Sequence, residues 1–189
     1  RAMKDAIVYA LEHEVLFVCS AGNESADNDM VPHYPSNYNL DNIISVAAMT
    51  KYGRLASFSN YGSYGVHIAA PGEGLRTTDV HGQFNWWAYG TSYAAAFVSG
   101  VAALMLAENP SLSVRELRLR ILQGSVISDE LSEEINACGG CVNAYNALLG
   151  IMLHEIQDTR DWTPPKDAVD DVSGHDRRGG CLIATVCGP

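Results

Sequence analysis

The small-residue turn Gly90-Thr91-Ser92 places one serine at the start of a long apolar run. Residues 93–108 carry Ala, Val, Leu and Met on every side, which predicts a helix in the middle of a fold. A hydroxyl at a helix N-terminus lies beside backbone N–H groups and the positive end of the helix dipole, and both stabilise an oxyanion. Ser92 is therefore a candidate nucleophile. Because serine is also a common N-cap residue, a purely structural role stays open.

A second reactive group follows a predicted strand. Residues 15–20 read Val-Leu-Phe-Val-Cys-Ser, an apolar run typical of a buried strand, and Ala21-Gly22-Asn23 comes directly after it. Glycine lets the backbone pass close to a ligand, and the amide of Asn23 can donate a hydrogen bond. An amide donor therefore stands at the end of this predicted strand.

Five segments, in the right order, resemble the subtilisin-like serine proteases, the subtilases. The resemblance covers about residues 1–149 and rests on Ala21-Gly22-Asn23, 55–62, 69–72, the nucleophile motif at 90–96, and 140–148. One departure is Ala96, which stands where the family has proline. Proline in a first helical turn lacks only an N–H that has no helical partner, so alanine changes little there and the role of Ser92 is not threatened.

The resemblance implies an α/β fold, a mostly parallel sheet with helices on both faces. It also implies a serine endopeptidase acting on peptide or protein substrates, with Ser92 as nucleophile and Asn23 as oxyanion donor. We therefore expect Asn23 and Ser92 to converge in space, with Asn23 binding the oxyanion that attack by Ser92 would create. It implies secretion, or passage through the secretory or endolysosomal pathway, and an inhibitory prodomain in the parent protein. The substrate-binding residues that it implies are Ser20, Ala21, Gly22 and His33.

His33 stands in the segment His33-Tyr34-Pro35, which resembles the Gly-Tyr-Pro segment of the family's primary specificity pocket. A histidine in place of the small residue predicts a shallower pocket with a charge that titrates near pH 6.5. The alternative is a histidine on a surface loop.

The subtilase order is Asp, His, Asn and then Ser, so the acid and the general base should precede Asn23. His13 is the one histidine before Asn23, and it ends the amphipathic pattern of a predicted surface helix. A serine without a base is a weak nucleophile. We therefore expect the C-terminal part of a protease domain, incomplete at its N-terminus and inactive alone.

Two other functions compete with this one. The chain could be a catalytically inactive subtilase-like module that binds peptides without cleaving them. It could also be another α/β hydrolase with its acid and base among Asp129, His154 and Asp158. The second alternative is the weaker, because a nucleophile elbow reads Gly-x-Ser-x-Gly and Ala94 occupies the place of the last glycine.

The composition of the chain limits the classes of partner that we expect. The formal net charge of −10 argues against nucleic acid, whose phosphates attract clusters of Lys and Arg. The longest apolar run that we identify, 101–107, is too short to span a bilayer, so no membrane anchor is expected. No cofactor and no metal ligand are assigned. Calcium is a family-based expectation, with Glu24, Asp27 and Asp29 as oxygen donors, against the alternative of solvated loop carboxylates.

The cysteines leave several arrangements open. Cys19 lies in the predicted buried strand and is expected to act as a small apolar side chain. Cys138 and Cys141 are spaced for a local disulfide or for two free thiols, since no further zinc ligands stand nearby. Cys181 and Cys187 flank a segment that can form a short strand or close a small loop.

The remaining patterns set the order of elements. Helices are predicted at 1–13 and from 93 to about 108. The capping box Ser113-Val114-Arg115-Glu116 opens a third helix, which continues through Leu122. Strands are predicted at 15–20, 43–48, 66–70 and 83–88. Strands that alternate with helices indicate a mostly parallel sheet covered on both faces. We divide the chain into a peptidase region, 1–149, and a weakly ordered extension, 150–189.

Overall fold

The structure, a computed structural model, describes residues 1–135, 140–155 and 183–187; for 85–86 and 183–187 it describes the backbone alone. Its elements in chain order are α1 (Ala2–Glu12), β1 (Val15–Ser20), β2 (Ile43–Met49), β3 (Ile68–Pro71), β4 (Leu75–Thr78), β5 (Phe84–Ala88), α2 (Thr91–Glu108), α3 (Val114–Gln123), β6 (Val126–Ile127), α4 (Asp129–Ser132), β7 (Gly140–Cys141), α5 (Ala144–Leu149) and β8 (Ile183–Cys187).

The larger sheet has the strand order β6-β7-β3-β2-β1-β8. Strands β1, β2, β3 and β7 are parallel to one another, whereas β6 and β8 pair antiparallel with β7 and β1 at the two edges. Parallel strands need crossover connections, which explains why β1, β2 and β3 read as nearly continuous apolar runs buried on both faces. The predicted mostly parallel sheet is confirmed.

Helices cover both faces of this sheet. One face packs against α2 and α3 in a core that includes Leu16, Ile44, Ile68, Val98 and Ile121. The opposite face packs against α1, where Ile7 joins Phe17 and Ile43 of β1 and β2. The side chains alternate between the two cores along each strand, as the pleat requires. The predicted α/β class with helices on both faces is therefore confirmed.

Helix α2 is the central helix, and its sequence has a second reading. Among the described residues it is one helix that is long and apolar enough, by length and composition alone, to cross a membrane. The prediction that apolar runs end well short of that length was therefore wrong. A core helix has the same composition, and half of this span is buried, with Ala95, Val98 and Ala102 fully so.

Other boundaries differ in detail. Strand β3 begins at Ile68 rather than at Val66, and β5 pairs antiparallel with β4 in a separate hairpin just before Ser92. The capping box is confirmed, since Ser113 and Glu116 exchange side-chain contacts with each other's backbone N–H. Strand β8 pairs with β1, so the strand alternative holds for 183–187. The rest of 156–189, with Cys181, lies outside the described residues, as does Cys138.

Cys19 and Cys141 are both thiols, in different surroundings. Cys19 is fully buried in β1 and its thiol contacts the carbonyl oxygen of Ile44 at 3.7 Å, as expected for a small core side chain. Cys141 forms no disulfide. Of the two arrangements open for its pair with Cys138, this leaves Cys141 as a thiol.

Candidate active site

Ser92 is the second residue of α2, and glycines set the turn that delivers it. Gly90 precedes the helix with φ 141° and ψ 151°, a conformation that favours glycine, and its N–H donates to the carbonyl of Gly72 at 2.8 Å. A Cβ on Gly72 would lie 2.5 Å from the Cβ of Ala48. The close approach of these two loops therefore fixes where α2 begins, and with it the position of the partly buried Ser92.

Asn23 lies directly after β1 and contacts the start of the same helix. Its Oδ1 accepts hydrogen bonds from the backbone N–H and from the hydroxyl of Thr91, each at 2.9 Å. A backbone N–H can only donate, so the amide oxygen must be the atom that faces Thr91. The NH2 group of Asn23 is consequently left on the other branch of an exposed side chain.

Gly22 makes this contact sterically possible. Its φ is +115°, and a Cβ at this position would lie 2.3 Å from Nδ2 of Asn60. Its N–H faces the hydroxyl oxygen of Thr91 at 3.4 Å. The glycine in Ala21-Gly22-Asn23 is thus required by both the backbone conformation and the close approach of Asn60.

Thr91 is the residue whose role the sequence analysis missed. It is fully buried, and both of its donors face Asn23. Its place in the nucleophile motif was visible in the sequence, but its partner lies 68 positions earlier. Only the tertiary structure brings the two motifs together.

Two other predicted substrate-binding residues, Ser20 at the end of β1 and Ala21 just after it, are buried. Ser20 is 3% exposed and Ala21 is fully buried. The N–H of Ala21 donates to the carbonyl of Val46, and its carbonyl accepts from Nδ2 of Asn28. Their assigned role, like that of Gly22, stays a prediction.

His33 lies in a turn in which its N–H donates to Oδ1 of Asn37 at 2.9 Å and its Nδ1 lies 3.3 Å from Oγ of Ser36. Burial lowers the pKa of His33 below its ordinary value, and the carboxylate of Glu24 partly opposes that shift. The imidazole is therefore neutral over a wider range than a titration near pH 6.5 implies.

The carboxylates considered for calcium are engaged in the backbone instead. Glu24 accepts from the N–H of Asn23, Asp27 accepts from the N–H of Asp29, and Asp29 accepts from Tyr64 and Gly65. Within the described ranges, His, Cys, Asp and Glu form no group of three that could hold a metal ion. Calcium binding by these carboxylates stays a prediction.

Three described histidines have ring contacts away from Ser92. Nδ1 of His13 faces the carbonyl of Tyr9 at 2.8 Å, and Nδ1 of His67 accepts from the N–H of Ser45 at 2.9 Å. Nε2 of His154 lies 3.1 Å from Oγ of Ser125. The hydrolase alternative considered His154 as a base for Ser92, but the serine that His154 contacts is Ser125. Asp158, a further candidate of that alternative, lies outside the described residues.

Comparisons with known proteins identify a family and several relatives. The model of the Subtilase family matches residues 1–150. The chain is 43% identical over 153 residues to the extracellular basic protease of Dichelobacter nodosus, which covers 71% of this chain and 24% of that protein. It is 31% identical over 151 residues to the thermophilic serine proteinase of Bacillus sp. (strain AK1), which covers 77% of this chain and 34% of that protein.

The fold has solved counterparts as well. The self-cleaved protease domain of PatA matches with a TM-score of 0.65 and 29% identity, over 77% of this chain and 53% of that one. The chain spans about a third or less of the length of the two curated relatives and about half of the solved structure. Since the family match extends over most of this sequence and the fold agrees with it, the chain belongs to the subtilase family.

Proposed function

We propose that this chain carries the nucleophile and the oxyanion donor of a subtilisin-type serine endopeptidase that acts on peptide or protein substrates. One observation carries the proposal: the amide oxygen of Asn23 is held by both donors of Thr91, the residue directly before Ser92. This contact orients the NH2 group of Asn23 and ties it to the start of the helix that bears the nucleophile. Membership of the subtilase family supports the same reaction class.

In the proposed reaction, Oγ of Ser92 attacks the scissile carbonyl carbon and a general base takes the hydroxyl proton. The carbonyl oxygen becomes an oxyanion, and the NH2 group of Asn23 donates to it beside the positive end of the α2 dipole. The base then returns the proton to the leaving amine as the C–N bond breaks. Water hydrolyses the resulting ester of Ser92 by the same steps, which regenerates the hydroxyl.

The general base and its orienting Asp belong, in this proposal, to residues outside the given sequence. One ring nitrogen of each of His13, His67 and His154 contacts a group other than Ser92, which is consistent with this placement. The family's chain order supports it too. The 189-residue chain alone is then expected to be inactive.

We also propose that the complete protein is secreted. One relative is named an extracellular protease. The inhibitory prodomain that the family resemblance implies would belong to the complete protein and would bind over Ser92 and Asn23.

A fluorophosphonate probe tests the proposal, because such probes react with activated serines. We expect rapid labelling and cleavage of a labelled protein substrate by the complete enzyme, loss of both in Ser92→Ala, and neither reaction with the 189-residue chain. As a control, His13→Ala should leave labelling of the complete enzyme unchanged. Rapid labelling of Ser92 in the short chain would place a base within it, whereas a complete protein that binds peptides without cleaving them would instead be a peptide-binding module.

A further inference from the structure

Asn60 lies in segment 55–62, to which no function has been assigned above. It bonds the backbone on both sides of Asn23. It is 2% exposed. Its Oδ1 accepts from the backbone N–H of Glu24 at 2.8 Å and of Ala26 at 3.1 Å. Its own backbone N–H donates to the carbonyl of Gly22 at 3.0 Å. The residues immediately before and after Asn23 are therefore both bonded to Asn60.

A second buried asparagine extends these contacts to the end of β1. Nδ2 of Asn60 donates to Oδ1 of Asn28 at 3.0 Å, and Nδ2 of Asn28 donates to the carbonyl of Ala21 at 2.9 Å. Asn28 is fully buried, and its own carbonyl accepts from Nδ2 of Asn37. The loop that bears Asn23 is thus bonded at Ala21, Gly22, Glu24 and Ala26.

The hydrogen bonds of Asn60 and Asn28 restrict the position of the Asn23 loop. Asn23 is exposed, so packing around its side chain cannot hold it in one place. An oxyanion donor must nevertheless be fixed within about 0.5 Å before the reaction begins. The amide oxygen of Asn60 can satisfy two loop N–H groups at once without introducing a charge, which an ionised side chain near the oxyanion would do.

The geometry points to Asn60 as a positioning residue for the oxyanion donor, acting through the loop of Asn23 and supported by Asn28. The inference rests on the proposed function, because it requires Asn23 to bind the oxyanion. Asn60 touches neither the substrate nor Ser92 in this role. Its contribution is to the transition state rather than to substrate affinity.

The test measures kcat, KM and unfolding of variants of the complete enzyme. Asn60→Ala should lower kcat by about 10- to 100-fold, the scale of a small misplacement, with KM changed less than about threefold. The matched control is Asn42→Ala: Asn42 is also fully buried and its Nδ2 bonds two carbonyls, those of Ile7 and Val15, but it lies away from the site. This control should lose stability and keep its kcat.

If Asn60→Ala does not fold, Asn60→Ser replaces it. Serine is neutral and keeps one polar group, but its single hydroxyl cannot replace both the oxygen that accepts from Glu24 and Ala26 and the donor to Asn28, so kcat should still fall severalfold. Equal falls of kcat in the Asn60 and Asn42 variants would overturn the inference, because stability alone would then explain both.

A double mutant separates this inference from the proposed function. In an Asn23→Ala background, Asn60→Ala should lower kcat no further, since the residue it positions is gone. A full additional loss in that background would overturn the positioning role and leave Asn23 as the oxyanion donor. If Asn23→Ala alone leaves kcat unchanged, it is the proposed function of Asn23 that fails, and the inference falls with it.

Discussion

Replacing Asn23 with aspartate separates its catalytic role from its structural one. The oxygen of Asn23 accepts two hydrogen bonds from Thr91, and a carboxylate of the same shape can accept both. The same change removes the NH2 donor and places a negative charge where the oxyanion would form. Asn23→Asp should therefore fold like the wild type and lose catalysis.

The expected magnitude follows from these two effects. Removing an oxyanion donor lowers kcat by about 10²–10³-fold, or roughly 2.7–4 kcal/mol, a scale taken from the corresponding donor in subtilisin. Repulsion between the new carboxylate and the oxyanion adds to this loss, so about 10²-fold is the smallest fall that we expect. KM should change little, because the interaction strengthens only in the transition state.

Asn23→Leu is the companion variant. It also removes the donor, so kcat should fall by about 10²–10³-fold. It leaves the two donors of the fully buried Thr91 without their acceptor, which should lower the free energy of unfolding by about 1–3 kcal/mol.

The assay is steady-state cleavage of a peptide by the complete enzyme, together with urea unfolding of each variant. A kcat of Asn23→Asp within threefold of the wild type, or a change confined to KM, would refute the oxyanion role. A stability of Asn23→Leu equal to that of the wild type would refute the contact with Thr91.

Three further predictions concern stability. Burial, and secondarily Arg118, lowers the pKa of His67 to about 3, so the unfolded chain takes up a proton at a higher pH than the folded chain does. The free energy of unfolding should therefore fall by up to about 1.4 kcal/mol per pH unit between pH 6.5 and pH 3. His67→Asn keeps an acceptor for Ser45 and should lose this slope in urea titrations at several pH values. Gly22→Ala should destabilise by about 1–3 kcal/mol more than Gly74→Ala, because Gly74 has a positive φ but open space, and equal losses would contradict the clash with Asn60. Ser113→Ala should cost about 1 kcal/mol in thermal unfolding, and no change would mean that the capping box is not formed in solution.

The elements that bear the site were readable from sequence because they are locally unambiguous. Strand β1 is an unbroken apolar run that matches its predicted bounds, and α2 is apolar on every side and preceded by glycine. Both signals come from neighbouring residues. The predicted start of β3 lies two residues before the observed one, at Val66 instead of Ile68. Val66 and His67 are both buried, as the strand is, but they are not part of it. Apolar sequence and burial therefore do not mark where strand pairing starts.

The contacts of the site were not readable, because they join distant segments. Thr91 and Asn60 both stood in motifs that the sequence displays, yet neither motif says which atom its side chain contacts. The membrane-like composition of α2 shows the same limit. A helix of this composition suits both a bilayer and a protein core. In this structure Ala95 and Val98 are buried in the core against the sheet, which the sequence alone does not show.

The hydrogen bonds around Asn23 also bear on when its donor group is positioned. Thr91 bonds the side chain of Asn23, and Asn60 bonds the backbone on both sides of it. If Asn23 is the oxyanion donor that we propose, these bonds hold its NH2 group in place before the reaction begins, which is what electrostatic preorganisation requires. An exposed residue needs such bonds more than a buried one does, because packing does not restrict its side chain.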